Sequence, residues 1–160
     1  MKQRYTSART CRYQIPALHR RLNWVSGEVN ADIGGGKWDL TTEFLAELGV
    51  VNVIYDQFNR DPDWNEKALA RIKQGCLTAT VSNVLNVIAE AEVRREVIEL
   101  ARYAQRAYFS VYEGDGTGVG KETRCGWQEN RKLKDYLSEV QLVFPCVTLG
   151  RGFIRADHGG

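Results

Sequence analysis

The chain has 160 residues, 43% of them hydrophobic and 26% charged, and a formal net charge of +2. This length and composition suit one folded domain over residues 1–160 and argue against disorder, while the small charge neither demands nor excludes a nucleic-acid partner. No apolar run approaches the roughly 18 residues of a membrane span, and the N-terminus lacks the apolar core of a secretory signal, so we expect a cytoplasmic protein without membrane contact.

The predicted elements alternate between helices and strands. After a basic N-terminal helical segment, residues 1–28, the apolar positions of residues 39–49 follow helical spacing up to Gly49. Residues 50–56 are apolar and β-branched, as in a buried strand. Such alternation predicts an α/β fold with a compact, Rossmann-like, mostly parallel sheet covered by helices on both faces. The expected helices are 17–25, 39–49, 64–75, 90–104 and 129–144; the expected strands are 29–34, 50–56, the first part of 76–88, 107–114, and a strand or hairpin at 146–156.

Three segments should meet at one edge of this sheet. Gly34–Gly36 follow the first strand, Asp56 ends the second, and residues 82–86 follow a later strand. In parallel sheets, ligands bind beyond the carboxyl ends of the strands. The convergence of these segments is therefore the main functional clue in the sequence.

The glycines and Asp56 together favour a nucleoside-type ligand. Glycines at Gly34–Gly36 let the backbone turn sharply and leave its amides open to a ligand. An acidic residue about 20 positions further on, at the tip of the next strand, is placed to bind ribose hydroxyls. The alternative is a tight strand-to-helix turn with no ligand. The last glycine of a GxGxxG pattern is missing, which disfavours a nicotinamide-dependent oxidoreductase.

Three motifs resemble one enzyme superfamily. "ADIGGGKWD" resembles motif I of the class I S-adenosylmethionine-dependent methyltransferases, "VIYDQFN" their acidic second motif, and "TVSNVLNVI" their fourth-strand segment. The combination is similar to the methyltransferase-like proteins associated with DNA phosphorothioation and to small phage proteins. The resemblance covers roughly Ala31 to Gly114, about half of the chain.

The resemblance implies S-adenosyl-L-methionine as the cofactor and a role for each matching residue. Asp32 would lie near the methionine end of the cofactor, and Gly34 and Gly36 would pass beneath it. Asp56 would bind the ribose, with Gln57 and Phe58 beside the adenine.

The fourth-strand motif would border the transferred methyl group. The resemblance places Ser82 and Asn83 there, with Asn83 as a candidate catalytic residue. Asn86 would either point into the same pocket or cap the start of a helix.

The chain also departs from the superfamily pattern. Only one helix, and no clear strand, fits between the second strand and "TVSNVLNVI", which predicts a shortened methyltransferase-type fold with an open or differently built adenine end. No Asn/Asp-Pro-Pro-Tyr/Phe segment follows that strand, which argues against adenine-N6 or cytosine-N4 methylation by that route. No Pro-Cys pair is present there for cytosine-C5 chemistry.

Residues 113–132 form a second glycine-rich segment, which we expect to hang over the same edge as a loop. The P-loop spacing fails, because Glu122 follows Lys121 where Ser or Thr is required. Lys121 and Arg124 would bring positive charge and Trp127 an aromatic face, which suits a nucleotide or nucleic-acid substrate. The alternative is a solvated loop in which Trp127 packs on the core.

Few other residues predict chemistry. Tyr112 and Glu113, at a strand end, are candidates for general acid–base catalysis. The four cysteines form no CxxC pair, so we predict reduced thiols and no metal, with Cys125 as the candidate for a thiol near the substrate. His19 and His158 are isolated, and His158 is expected in a disordered tail.

The hypothesis is an S-adenosylmethionine-dependent methyltransferase. Its methyl acceptor is unknown, and a nucleic acid or nucleotide is the candidate. The alternative is a non-catalytic S-adenosylmethionine-binding accessory or regulatory protein of phage or defence-system type. Fold analogy alone does not separate the two.

Overall fold

The computed structural model describes residues 12–124 and 126–159. The helices and strands fall close to the predicted segments. The helices are α1 (Ala17–Arg21), α2 (Leu40–Glu47), α3 (Pro62–Lys73), α4 (Ala91–Leu100) and α5 (Leu137–Gln141), with 3₁₀ turns at Leu85–Val87, Ala101–Tyr103 and Leu133–Tyr136. The strands are β1 (Val29–Ile33), β2 (Val51–Tyr55), β3 (Cys76–Ser82), β4 (Ala104–Ser110), β5 (Lys121–Thr123), β6 (Gly126–Gln128), β7 (Cys146–Leu149) and β8 (Ile154–Asp157).

Six strands form one sheet in the order β2-β1-β3-β4-β8-β7. Strands β1 to β4 are parallel, β8 runs antiparallel to β4, and β7 runs antiparallel to β8. The chain adds β2 on one side of β1 and β3 on the other, so the strand order reverses between β1 and β3. Such a reversal opens a crevice at the carboxyl ends of the strands. The predicted α/β class with a mostly parallel sheet is confirmed.

The two faces of the sheet differ in chemistry because side chains alternate along each strand. On one face, Ala31 and Ile33 of β1 join a core that also holds Ile72 of α3 and Ile98 of α4. On the other face, Asn30 and Asp32 are fully or almost fully buried among polar groups beneath α1. Helices therefore cover both faces, and the buried polar groups are concentrated on the face beneath α1, beside aliphatic residues such as Ile54 and Leu45.

A single helix, α3, connects β2 to β3, as the shortened-fold prediction required. The Asp61 side chain caps α3 by accepting from the Trp64 amide at 2.9 Å, and Pro62 occupies the first helical position. Because no additional strand follows α3, β3 pairs directly with β1.

Several predicted segments differ from the structure. The strand expected at 107–114 lies at Ala104–Ser110, and the helix expected at 17–25 ends at Arg21. The helix expected at 129–144 begins only at Leu133, since the Glu129 amide bonds to the Asn86 carbonyl and Asn130 has a φ of +57°. The loop expected at 113–132 contains an antiparallel hairpin of β5 and β6. The hairpin expected near the C-terminus is present as β7 and β8.

Some predictions fall outside the described residues, namely those on residues 1–11 and on Cys125. In the part of the chain that the structure describes, no helix is both long and apolar enough to span a membrane.

Candidate cofactor site

A cavity of about 880 Å³ opens at the carboxyl ends of β1, β2 and β3, at the point of strand reversal. Residues singled out from the sequence line it, so the three predicted segments do converge there. They include Asp32, Gly34, Gly36, Asp56, Gln57, Phe58, Ser82, Asn83, Asn86 and Tyr112.

The turn at Gly34–Gly36 forms one wall and requires glycine at two positions. Gly34 has a φ of +74° and Gly36 a φ of +82°, a region that side-chain-bearing residues rarely adopt. A Cβ on Gly34 would lie 2.5 Å from Cγ2 of Val84, which follows β3. The turn is therefore packed against the neighbouring cavity wall as well as sharply bent.

Asp56 holds this turn in place. Its Oδ2 accepts from the Gly36 amide at 2.9 Å and from Asn59 Nδ2 at 3.0 Å. Its Oδ1 accepts from the amides of Phe58 at 3.1 Å and Asn59 at 3.2 Å. A carboxylate offers about four acceptor positions, and these bonds use them. A ribose diol bound by Asp56 would have to replace a protein donor such as the Asn59 side chain.

Arg60 adds a second clamp on the glycine turn. Its Nε donates to the Gly36 carbonyl at 2.8 Å, and its Nη2 donates to Asp39 Oδ1 at 2.8 Å and to the Trp38 carbonyl at 3.3 Å. Its guanidinium stacks 4.4 Å from the centroid of the Trp64 ring. No sequence motif marked Arg60, since its role depends on the close approach of the ends of β1 and β2.

Asp32 is 2% exposed and lies within a group of polar side chains. Its Oδ1 accepts from Thr80 Oγ1 at 3.1 Å and lies 3.5 Å from His19 Nε2, while its Oδ2 accepts from Asn52 Nδ2 at 3.1 Å. Burial alone would raise the pKa of Asp32, but the charge of His19 and the hydrogen bonds from His19, Asn52 and Thr80 together hold the pKa below its ordinary value. Asp32 is thus held as a carboxylate at the cavity wall.

The polar group extends from Asp32 along the sheet to its amino end. Asn30 Nδ2 donates to Thr80 Oγ1 at 2.9 Å. Thr78 Oγ1 lies 3.0 Å from Asn30 Oδ1 and 3.1 Å from Glu28 Oε1, and its single hydroxyl hydrogen is shared between these two acceptors. Sequence reasoning missed this ladder and His19 with it. The available signal was the period-two recurrence of polar residues within otherwise buried strands, at 28, 30 and 32 and at 78 and 80.

The wall formed after β3 is neutral and rich in amides. Asn83 has a φ of +56°, and its amide donates to the Ser110 carbonyl at 2.9 Å. Asn86 sits within the turn Leu85–Val87, where Val84 holds the capping position, and it lines the cavity. Asn86 is 2% exposed and donates to Gln128 Oε1 at 3.1 Å, but among the described residues its Oδ1 has no hydrogen-bond partner. Of the two roles predicted for Asn86, the structure supports the pocket.

The glycine-rich segment contributes less to the cavity than expected. Among its described residues only Gln128 lines the cavity, together with Tyr112 just before the segment, whereas Glu113, Lys121, Arg124 and Trp127 do not. Glu113 Oε2 accepts from the Leu133 amide at 2.6 Å, and Lys121 Nζ lies 3.8 Å from Asp115.

Trp127 packs within its own hairpin. A Cβ on Gly120 would overlap the Trp127 ring, and the buried indole Nε1 finds no partner among the described residues. The sequence left two roles open for Trp127, a stacking face for a substrate or packing on the core. In the structure Trp127 is packed, but against its own hairpin and not on the core.

His158 is ordered, so the expectation of a disordered tail at this residue is wrong. Its Nε2 lies 2.9 Å from the Ala104 carbonyl oxygen, and its ring lies 5.4 Å from that of Phe144. Within residues 12–124 and 126–159, no group of three or more His, Cys, Asp or Glu side chains could hold a metal ion.

The cavity continues as a trough between α3 and α4. Leu69 of α3 and Val93, Val97 and Leu100 of α4 line it, and it reaches Tyr103 at the start of β4. This trough lies where only α3 connects β2 to β3, and it leaves the end of the cavity away from Ser82 open.

Comparison with known proteins adds little to this geometry. No protein-family model matches the chain. No curated protein matches it either. Among solved structures, a TehB-like SAM-dependent methyltransferase from Corynebacterium glutamicum is similar with a TM-score of 0.44 and 16% identity, covering 83% of this chain and 80% of that chain. A similarity this weak carries no argument about function. Any assignment of function must therefore be based on the residues of the site.

Proposed function

We propose that the chain is an S-adenosylmethionine-dependent methyltransferase that binds its cofactor in the cavity at the β1–β3 reversal. One observation carries the proposal: the glycine turn, the buried Asp32 carboxylate and Asp56 line the same cavity at the carboxyl edge of the sheet. This is where doubly wound sheets bind nucleoside-containing ligands.

The residues present fit such a cofactor. The cavity volume of about 880 Å³ falls within the range of small-molecule sites. Asp32 would hold the cofactor's amino group, and Gly34 and Gly36 would lie beneath its adenosyl and carboxypropyl parts. Gln57 and Phe58 would border the adenine, and the open trough beside α3 would form the differently built adenine end expected of the shortened fold.

Asp56 supports the proposal in a modified form. Its carboxylate is 5% exposed and already accepts four protein donors, so it shapes the glycine turn before any ligand binds. A ribose contact through Asp56 would be made by exchanging the Asn59 side-chain bond for a ribose hydroxyl.

When bound, the cofactor supplies a methyl group on positively charged sulfur; transfer breaks that S–C bond and joins the methyl group to the acceptor. The protein's task is then mainly to align the acceptor and remove its proton. Ser82 and Asn83 would border the transferred methyl group. Tyr112 is the better placed of the two acid–base candidates, because it lines the cavity while Glu113 is bonded to the Leu133 amide.

The acceptor is proposed to be a nucleic acid or nucleotide, in a cytoplasmic protein of the phosphorothioation-associated and phage type that the motifs resemble. The second candidate is a non-catalytic S-adenosylmethionine-binding accessory protein. The ordered carboxylates favour neither, since a binding module and an enzyme need the same cofactor wall.

Calorimetry with S-adenosylmethionine, S-adenosylhomocysteine and NAD tests the proposal. We expect the first two to bind and NAD not to bind. Asp56→Ala should weaken binding at least tenfold by releasing the Gly36 amide, whereas the matched control Asp63→Ala, on the exposed first turn of α3, should bind normally. Binding of NAD alone, or binding that Asp56→Ala leaves intact, would contradict the assignment.

Methyl transfer to a panel of oligonucleotides and nucleotides separates the two candidates. An enzyme should show turnover that Tyr112→Phe lowers at least tenfold without changing cofactor affinity. Cofactor binding without transfer to any acceptor would favour the accessory protein.

A further inference from the structure

A layered group of cations and aromatic rings stands beside the glycine turn. The Arg12 guanidinium lies 4.9 Å from the ring centroids of both Tyr13 and Trp38, and Lys37 Nζ lies 5.0 Å from that of Trp38. We name Arg12, Tyr13, Lys37 and Trp38 the cation–aromatic patch. Three further cation–π contacts occur among the described residues. Those of Arg20 with Phe44 and of Arg60 with Trp64 lie in the same part of the chain, and that of Arg131 with Tyr136 lies elsewhere.

The patch adjoins the cavity. Lys37 directly follows Gly36, which lines the cavity, and Pro16, three residues after Tyr13, lines it too. Arg60 donates to the carbonyls of both Gly36 and Trp38, which fixes the patch relative to the turn. A ligand on the patch would therefore lie at the β1 side of the cavity entrance.

The patch is accessible and its charge is positive. Tyr13 is 81% exposed, and Arg12 and Lys37 are exposed as well. The neighbouring carboxylate, Asp39, is paired with Arg60 at 2.8 Å. An anionic ligand would therefore meet Arg12 and Lys37 without a competing charge from Asp39.

Cations alternating with aromatic rings suit single-stranded nucleic acid. The cations follow the phosphates, while bases stack on aromatic rings and on guanidinium planes. Across the cavity, Asn83 and Asn86 bring amide groups to the wall, which are the side-chain groups that pair with base edges. Gln128 also lines the wall, but its amide is bonded to Asn86 and to the Tyr112 carbonyl. Asn86 Oδ1 is buried and has no partner among the described residues, so a rotation that exposed it to the cavity would supply an acceptor for a base amino group.

We propose that single-stranded nucleic acid docks on the cation–aromatic patch and presents one base to the amide wall of the cavity. Presentation of a base to the cavity rests on the proposed function, because that base would be the methyl acceptor. Docking of the strand on the patch does not depend on the proposed function. The substrate would then contact the cation–aromatic patch instead of the β5–β6 hairpin, where Trp127 is packed against Gly120.

Fluorescence anisotropy with labelled single-stranded DNA and RNA of about 16 nucleotides, without cofactor and over a series of salt concentrations, tests docking. We expect Tyr13→Ala to weaken binding about tenfold, because an exposed stacking surface is lost. Lys37→Ala should weaken binding and reduce the slope of log K against log salt by about 0.7, the value for one phosphate contact on a single strand. Lys134→Ala, which removes an exposed lysine that does not line the cavity, is the matched control and should change neither.

Three outcomes would overturn the proposal. The first is the absence of oligonucleotide binding by the unaltered chain. The second is equal binding of polyglutamate, which would reduce the patch to a general polyanion or acidic-protein site. The third is a loss of binding carried by Lys121→Ala and Arg124→Ala instead of the patch variants. Unfolding midpoints of all variants exclude loss of the fold as the cause.

The test separates docking from the proposed function. A chain that binds S-adenosylmethionine but no oligonucleotide keeps the methyltransferase proposal and overturns the docking proposal. A chain that binds oligonucleotide but no S-adenosylmethionine keeps the docking proposal and overturns the methyltransferase proposal.

Discussion

Two glycine-rich segments lie near the carboxyl edge of the sheet, and they have different structural roles. The turn at Gly34–Gly36 lies at the strand reversal, where Asp56 and Arg60 bond its backbone and it lines the cavity. The segment 113–132 contains its own hairpin of β5 and β6, and its glycines at 114, 116 and 118 adopt positive φ in the turns that precede β5. Glycine content alone therefore does not mark a site; position at a strand end beside a neighbouring strand end does.

The largest expected difference between the two segments concerns their aspartates. Asp32→Ala would leave His19, Asn52 and Thr80 buried without their shared partner, which should cost about 3–5 kcal/mol of unfolding free energy. Asp115→Ala, at an exposed position in the turn before β5, should leave the midpoint unchanged. Urea denaturation of both variants checks the contrast, and equal losses would contradict it.

A matched pair of glycines should show a smaller contrast. Gly34→Ala should cost about 3 kcal/mol, because it adds left-handed strain and an overlap with Val84. Gly118→Ala has a similar φ of +79° but no atom within 4 Å of the added Cβ, so it should cost about 1 kcal/mol. The same denaturation measurement applies. A Gly118 loss as large as the Gly34 loss would mean that strain, and not packing against β3, dominates the turn.

Protonation of Asp32 in acid should lower the unfolding free energy less than Asp32→Ala does, because protonation leaves the side chain in place. Burial would raise the pKa of Asp32, but His19, Asn52 and Thr80 lower it below the ordinary value. A carboxylate whose pKa is lowered by folding contributes stability above its unfolded pKa of about 3.9 and loses it as the pH falls through the folded value.

The unfolding free energy should therefore decline below about pH 4, and Asp32→Asn should flatten part of that decline. The pKa of Asp115 is also lowered, by hydrogen bonds from the backbone and side chain of Thr117, but solvent screens this exposed group. Asp115→Asn should accordingly flatten the decline less than Asp32→Asn. The measurement is urea denaturation at a series of pH values from 6 to 3, and identical curves for the two variants would refute the distinction.

Much of the fold followed from local patterns. Helical spacing with Gly49 as a stop marked α2, and the β-branched run marked β2. The convergence of Asp32, Gly34 and Asp56 also followed, because carboxyl ends of parallel strands share an edge. Each of these inferences needs only residues close together in sequence.

The remaining features depend on contacts between distant segments. The burial of His19 becomes evident only when α1 lies over β3, and the four bonds to Asp56 only when its loop meets the glycine turn. The helix predicted at 129–144 was too long because the Glu129 amide bonds to the Asn86 carbonyl, while the Glu129 side chain pairs with the buried Arg94 at 2.6 Å. Tertiary hydrogen bonds and ion pairs override local helical preference here, and a pattern of apolar residues does not reveal them.

The central position of β3 has a consequence for how the protein assembles. β1 and β2 are near in sequence, but the other wall of the cavity depends on β3, which pairs Thr80 with Asp32 only after an intervening loop and helix are placed. Such non-local pairing is slow relative to hairpin or helix formation. Ligand capture should thus be among the last properties recovered on refolding, and a fluorescent adenosyl analogue would report completion of the whole sheet rather than of its first pair of strands.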